Sequence, residues 1–201
     1  MEYKDQLVLK GDLNEVGNTT RMNVKKSYRL GLELVGSYRL NTKIKIAGNI
    51  TISRNKIDQF TNSLDATTDS SQSKSSTIFQ NTDIAYSPSV TGAGTIAFEP
   101  FRNLNVVLTG KFVGQQFLDN TENDTRKIKD YSIFDILVNY DIPLHSNNVI
   151  TLGLMINNFG NRTYASNGYT YGYIYNGREI HENFYYPQAG IHFMGKIAVK
   201  F

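Results

Sequence analysis

Apolar residues recur at every second position through much of this chain, and the clearest run is Ser27 to Leu40. There Tyr28, Leu30, Leu32, Leu34, Gly36, Tyr38 and Leu40 alternate with Ser27, Arg29, Gly31, Glu33, Val35, Ser37 and Arg39. A period of two belongs to a β-strand with one apolar and one wet side. Lys43 to Arg54 repeats it with Ile44, Ile46, Gly48, Ile50 and Ile52 on one side, and Asn41-Thr42 between the runs predicts a hairpin. The first run outlasts the ~5 to 6 residues of an ordinary soluble strand and covers the ~9 to 11 that cross a bilayer at a tilt. The polar side of this hairpin carries Arg29, Glu33, Arg39, Lys43 and Lys45, more charge than a dry core accepts unpaired.

The same parity continues along the chain. A short strand over 3–13 has Leu7 and Leu9 on one side. Val90, Gly92, Gly94, Ile96 and Phe98 share a side over 90–99, and Leu104, Val106, Leu108, Gly110 and Phe112 do so over 104–117. Phe134, Ile136, Val138 and Tyr140 follow over 131–140, with Ile133 and Leu137 as exceptions, then Ile150, Leu152, Leu154 and Ile156 over 149–156. The last strand, 189–201, sets Ile191, Phe193, Gly195, Ile197, Val199 and Phe201 against His192, Met194, Lys196, Ala198 and Lys200. The expected fold is therefore all-β, an antiparallel transmembrane barrel segment with strands at about 3–13, 27–40, 43–54, 90–99, 104–117, 131–140, 149–156 and 189–201. Its links alternate between short ones (41–42, 100–103, 141–148) and long ones (14–26, 55–89, 118–130, 157–188). The 55–89 link, rich in Ser, Thr, Asp, Asn and Gln, is expected to be a loop with a short excursion strand near Thr82 to Tyr86. Compact soluble domains seldom hold links beyond ~12 to 15 residues, whereas a membrane barrel has short turns at one rim and long loops at the other.

Composition narrows the classes further. The 201 residues are 40% hydrophobic, with 13 Tyr, 11 Phe and no Trp, too aromatic for a disordered chain. A net charge of +3, spread along the chain, gives no case for a nucleic-acid partner. There is no cysteine, which removes disulfides, thiol catalysis and cysteine-bound metal. No apolar run approaches the ~18 to 20 residues of a membrane helix, so a bilayer would have to be crossed by strands. Met1-Glu2-Tyr3-Lys4-Asp5 shows no apolar core or cleavage site of a secretory leader, which leaves either a soluble chain or a piece of something longer.

Three stretches carry a family resemblance. Asn157-Asn158-Phe159-Gly160-Asn161-Arg162-Thr163-Tyr164, then Tyr186-Pro187-Gln188-Ala189-Gly190-Ile191-His192-Phe193 with the closing Phe201, and Val113 to Asn120 together resemble the C-terminal region of TonB-dependent outer-membrane receptors. The resemblance implies that 1–201 corresponds to the C-terminal portion of a barrel of about 22 strands, without its plug domain or coupling box. It also implies a place in the outer membrane of a Gram-negative cell and active uptake of a bulky small-molecule ligand: an iron-siderophore complex, cobalamin or a glycan. The implied partners are outer-membrane lipid, the TonB energy-coupling system acting through the missing plug, and the barrel-assembly machinery, which would read Phe201 as the insertion signal.

Candidate chemistry sits in the long links. Asn176-Gly177 predicts a type I′ turn that would place Tyr169, Tyr171, Tyr173 and Tyr175 on one face of a projecting hairpin. Such a face could stack against a ligand, or it could pack on neighbouring loops or sit in an interfacial aromatic girdle. Arg126 and Lys127, with Lys129, could attract an anionic ligand or simply form a charged rim. His145, His181 and His192 have no second ligand at metal-binding spacing in the sequence, so neither a metal nor a cofactor is expected. No nucleophile elbow, phosphate loop, HExxH or paired catalytic carboxylates occur, and the expectation is a protein that is not an enzyme. Two rivals stay open: a self-contained eight-stranded barrel with a structural or adhesion role, and a soluble β-rich binding module.

Overall fold

A computed structural model of the chain describes residues 1–13, 19–68, 71–145 and 148–201. The polar link at Asn14 to Asn18 and the turn residues Ser146-Asn147 lie outside the described residues. The described strands are β1 (Glu2–Leu13), β2 (Thr19–Arg39), β3 (Ile44–Thr68), β4 (Ser71–Asp83), β5 (Val90–Phe98), β6 (Leu104–Val113), β7 (Gln116–Phe117), β8 (Lys127–Ile128), β9 (Tyr131–Pro143), β10 (Val149–Asn157), β11 (Ala165–Tyr175), β12 (Arg178–Pro187) and β13 (His192–Lys200). Eight of them form one continuous antiparallel path, β1-β2-β3-β5-β6-β9-β10-β13. These eight correspond to the eight alternating runs in the sequence.

Directly opposed residues of an antiparallel pair point to the same face, so the registers turn the parity of single strands into rows across the sheet. One row reads Tyr38, Ile46, Ile96, Leu108, Ile136, Ile156 and Phe193 from β2 to β13. The adjacent row on the opposite face begins Ser37, Ala47, Thr95, Thr109 and Asp135. Leu32, Ile50, Leu152 and Ile197 all face solvent, Ile197 with 76% of its surface open, so the apolar side of this wall has no protein core behind it. Between the large side chains runs a row of glycines, Gly36, Gly48, Gly94 and Gly110, ending at Phe134. A Cβ on Gly110 would stand 2.9 Å from Phe134 Cε1, so the glycine leaves room for the ring to lie across the strand.

The sheet is open: among the described residues β1 pairs only with β2, and β13 only with β10. An eight-stranded barrel closed on itself would need β1 against β13, so the self-contained reading finds no support here.

The first short link is tight. Leu40 N donates to Ile44 O at 3.0 Å, and Asn41 Oδ1 accepts from Lys43 N and Ile44 N at 2.8 and 2.9 Å, an Asx turn that reverses β2 into β3. Two of the long links, 55–89 and 157–188, are largely strand rather than loop. β2 begins at Thr19 rather than near 27, and β3 runs on to Thr68 and turns back into β4. The excursion strand therefore lies over Ser71–Asp83, and the expected loop 55–89 is mostly a paired hairpin. β6 ends at Val113, and Gln116–Phe117 instead pairs with Lys127–Ile128. The expected long link 157–188 is largely the hairpin β11–β12.

At this upper end β3 exchanges its neighbours. Up to Ile52 it pairs with β5 and up to Ile57 with β2, whereas beyond that it pairs with β4 on one edge and, at Ala66 and Thr67, in parallel with β11 on the other. Here the chain buries its core: Val8, Val24, Ile57, Phe60 and Ile84, with Met22 and Phe79 packed against them.

Candidate functional site

The turn between β11 and β12 is the one the sequence predicts. Asn176 and Gly177 have φ of 48° and 78°, the pair of positive values a type I′ turn requires. One face of β11 then carries Gly168, Thr170 and Gly172, and the other carries the four tyrosines. The glycine face packs down. A Cβ on Gly168 would run into the Phe184 carbonyl and stand 3.2 Å from Leu118 Cδ2, and one on Gly172 would run into the His181 ring and stand 3.2 Å from Leu64 Cδ2. Close approach of the β12 partner strand, of Leu118 and of Leu64 on β3 is possible only because those side chains are missing.

The tyrosine face stays partly open. Tyr169 stacks on Phe184 with ring centroids 4.8 Å apart and planes 14° apart, and Tyr171 and Tyr173 lie 5.7 Å apart. Asn176 N donates to Thr67 O at 3.0 Å, which ties the hairpin tip to the end of β3. On the tyrosine side of this junction an open pocket of about 720 Å³ is lined by Asp65, Thr67, Gln72, Ser73, Lys74, Tyr171 and Tyr173. Lys74 and Asp65 sit 3.4 Å apart at its edge, both well exposed. Tyr169 lies outside this lining and is engaged with Phe184 and Tyr186, and Tyr175 is exposed at the tip.

Beneath the hairpin a second layer fixes its position. Arg126 is 3% exposed and enclosed. Its Nη2 donates to Thr121 Oγ1 at 2.7 Å, and its Nη1 donates to His181 Nδ1 at 3.0 Å while His181 Nε2 faces Glu179. Arg126 Nε lies 3.2 Å from Asp119 Oδ2, an ion-pair distance without the angle of a hydrogen bond. Arg126 is thus a strut between the β7–β8 loop and the β11–β12 hairpin, away from the pocket. Lys127 pairs with Asp124 at 2.8 Å and is partly covered. Two further ties join the same loop to the sheet. Lys56 binds Asp83 and Glu122 at 2.8 and 2.9 Å, and Asn120, fully buried, accepts from Ala85 N at 2.8 Å and donates to Leu9 O at 2.7 Å. Burial lowers the Lys56 ammonium pKa, but its bonds to Asp83 and Glu122 outweigh that and leave it raised. Tyr86 OH donates to Gly168 O at 2.7 Å, and burial, helped by Asp119 and Tyr186, pushes its phenol up to about 12.

Asn158 explains why the Asn-Phe element sits where it does. Its φ of 47° turns the chain out of β10, its side chain donates to Arg162 O and Ala189 O at 2.9 and 3.1 Å, and its backbone N donates to Asp135 Oδ1 at 2.8 Å. The start of β13 is thereby clamped to the end of β10. Sequence reasoning missed Asn120, Lys56 and the Asp119–Arg126–His181 group. Their partners lie far along the chain, and only the packed upper storey brings them together.

The pattern found in the sequence is matched by a family model for the TonB dependent receptor-like β-barrel over residues 1–159. No curated protein sequence matches the chain. Among solved structures, the siderophore receptor PiuA from Acinetobacter baumannii is similar over 98% of this chain and 24% of its own, with 16% identity and a TM-score of 0.67. The ferric yersiniabactin uptake receptor FyuA from Yersinia pestis is similar over 90% and 24%, with 18% identity and a TM-score of 0.60. The copper transporter OprC is similar over 98% and 26%, with 17% identity and a TM-score of 0.60. The chain spans about a quarter of the length of these proteins, and at such identities the likeness is one of fold. On its alternating strands, its open antiparallel wall and the family match over most of its length, this chain belongs to the TonB-dependent receptor-like β-barrel family.

Proposed function

We propose that residues 1–201 form the C-terminal arc of a TonB-dependent receptor barrel in a Gram-negative outer membrane, and that the β3–β4 and β11–β12 hairpins present a capture site for a bulky ligand. The apolar face would meet lipid. TonB would act through a plug domain belonging to the same receptor, and the role is transport rather than catalysis. The observation that carries the capture site is the pocket at Tyr171 and Tyr173, whose size falls within the ~300 to 1,000 Å³ of small-molecule sites. Two aromatic faces beside Asp65, Lys74, Gln72 and Thr67 suit a ligand with flat or ring surfaces and many hydrogen-bonding groups. An iron-siderophore complex is the favoured class, because PiuA and FyuA are receptors for such uptake, with cobalamin and glycans as the other classes to test.

The test is binding and uptake by the full-length receptor carrying Tyr171→Ala and Tyr173→Ala, measured with a panel of ferric chelates, cobalamin and oligosaccharides. One ligand of the panel should bind the unsubstituted receptor and lose at least about tenfold in affinity in the double variant, as expected when aromatic anchors are removed. Unchanged affinity for every ligand that binds would overturn the site. Phe201, 94% exposed beyond β13, is proposed as the element read by the barrel-assembly machinery. Phe201→Asp should lower the amount of receptor in the outer membrane, and equal amounts would remove that role.

A further inference from the structure

The polar face of the wall is not polar everywhere. The row next to the apolar one runs Arg39, Lys45, Ala97, Val107, Leu137, Met155 and Met194, so its last four members, on β6, β9, β10 and β13, are all apolar. Two of the four methionines of the chain meet at the end of this row as a directly opposed pair, Met155 against Met194. Opposed residues have Cβ atoms about 4.5 to 5.5 Å apart, so two flexible thioether arms rising from the same face can bring both sulfurs to one point.

A third soft donor stands beside them. His192 precedes Met194 by two residues, on the same face and about 7 Å along the strand, and it lies on the diagonal from Met155 that long side chains still bridge. Its ring is already oriented. His192 Nδ1 lies 3.0 Å from Gly190 O, and since a carbonyl can only accept, Nδ1 must carry the hydrogen. In the neutral ring the lone pair then falls on Nε2, the arrangement in which a ligating imidazole is usually held by a second hydrogen bond. Met194 and His192 are exposed and Met155 is half-buried, so all three can be reached from the polar side.

We propose that Met155, Met194 and His192 form a site for a soft monovalent cation, Cu(I) or Ag(I), on the inward face of the wall. Thioether and neutral imidazole are ligands that favour such ions, and in a chain without cysteine they are the softest donors present. The three carry no negative charge, and Lys196 follows two residues further on the same face, so a divalent cation such as Zn(II), which takes thiolate, imidazole or carboxylate, is disfavoured. The site uses β10 and β13 and none of the residues of the hairpin pocket. It therefore stands or falls apart from ligand capture. In the sequence alone Met155 is separated from His192 and Met194 by the whole 157–188 link, and only the register joins them.

The experiment uses the full-length receptor in detergent, with methyl-labelled methionine and Ag(I) as a probe that needs no reductant. The methyl signals of Met155 and Met194, assigned from Met155→Leu and Met194→Leu, should both move on addition of one equivalent of Ag(I), while those of Met1 and Met22 stay in place. Either leucine variant should weaken Ag(I) binding by at least about tenfold, and His192→Gln should weaken it with Met155 and Met194 intact. Leucine keeps the volume of methionine, and unchanged signals from Met1 and Met22 report that the fold survives. Ag(I) affinity unaltered in the Met155→Leu/Met194→Leu double variant, movement confined to other methionines, or Zn(II) bound as tightly as Ag(I) would each overturn the site.

Discussion

The wall and the storey above it share strands, β3 most of all, yet they are held together in opposite ways. In the wall, β3 from Ile44 to Ile52 puts isoleucines on an outer face with nothing packed behind it, and order comes from ladder hydrogen bonds and cross-strand rows. In the upper storey the same strand buries Ile57 and Phe60 in a small core and Leu64 against the β11–β12 hairpin, and is braced by ion pairs and buried amides. The wall is therefore ordered without being packed, as suits a surface made to meet a second solvent. The storey is packed like a small soluble domain.

If that contrast is right, breaking a brace should open the storey and spare the wall. Arg126→Leu leaves Asp119 buried without its cation and Thr121 and His181 without a donor. Loss of one partner of a buried pair costs about 3 to 5 kcal/mol, the largest effect expected here. Limited proteolysis should show new cleavage in 118–130 and 157–188, with no new cleavage in 90–113. Cleavage spread evenly through the chain would mean that wall and storey unfold as one unit.

The wall should answer to the face of a substitution rather than to its burial. Ile96→Arg places a charge in the apolar row at a cost of about 2 to 4 kcal/mol in a bilayer, while Thr95→Arg, one residue away on the inward face, should cost less than about 1 kcal/mol. Denaturant unfolding of the full-length receptor in lipid vesicles measures both. Equal losses would contradict the assignment of faces.

The two regions also differ in how much of them could be read in advance, and for the same reason. A strand with lipid on one side must repeat its apolar residue at every second place, so Leu30, Leu32 and Leu34 declare both strand and face. The four tyrosines and the Asn176-Gly177 turn declared their hairpin because turn chemistry is local. In β3 beyond Asn55, by contrast, Phe60, Leu64 and Ala66 keep the parity of Ile44 to Ile52 but form a covered side, with Asn62 between them. Asn81, at φ 54°, interrupts the partner strand, so no clean period survives. Arg126 looked like a surface cation because nothing near it in sequence announces that His181 will come to meet it. The methionine pair was invisible for a similar reason, since cross-strand register is not a local property.

Tyr86 sharpens the contrast through pH. Its phenol, raised to about 12 in the folded chain against 10 when free, holds its proton more tightly when folded. The stability it lends is complete below pH 10 and is lost as pH rises from 10 towards 12. The expected alkaline loss is confined to the storey, because Tyr86 joins the β4–β5 link to Gly168 of β11. Tyr86→Phe should remove about 1 kcal/mol at neutral pH and flatten this dependence. A hairpin signal in hydrogen exchange that is unaltered between pH 10 and 12 would show that the bond does not hold the hairpin down.

The smallest expected effect is at Lys74. Its ion pair with Asp65 is 3.4 Å long and lies in open solvent, where such pairs contribute about 0 to 1 kcal/mol. Lys74→Ser should therefore leave unfolding of the storey where it was, in contrast to Arg126→Leu a layer below. Lys74 also lines the pocket beside Tyr171 and Tyr173, so the same substitution should change the salt dependence of ligand binding without changing stability. Loss of more than about 1 kcal/mol in unfolding would instead assign Lys74 to the brace. The hairpin tips would then be part of the packed storey rather than a free rim above it.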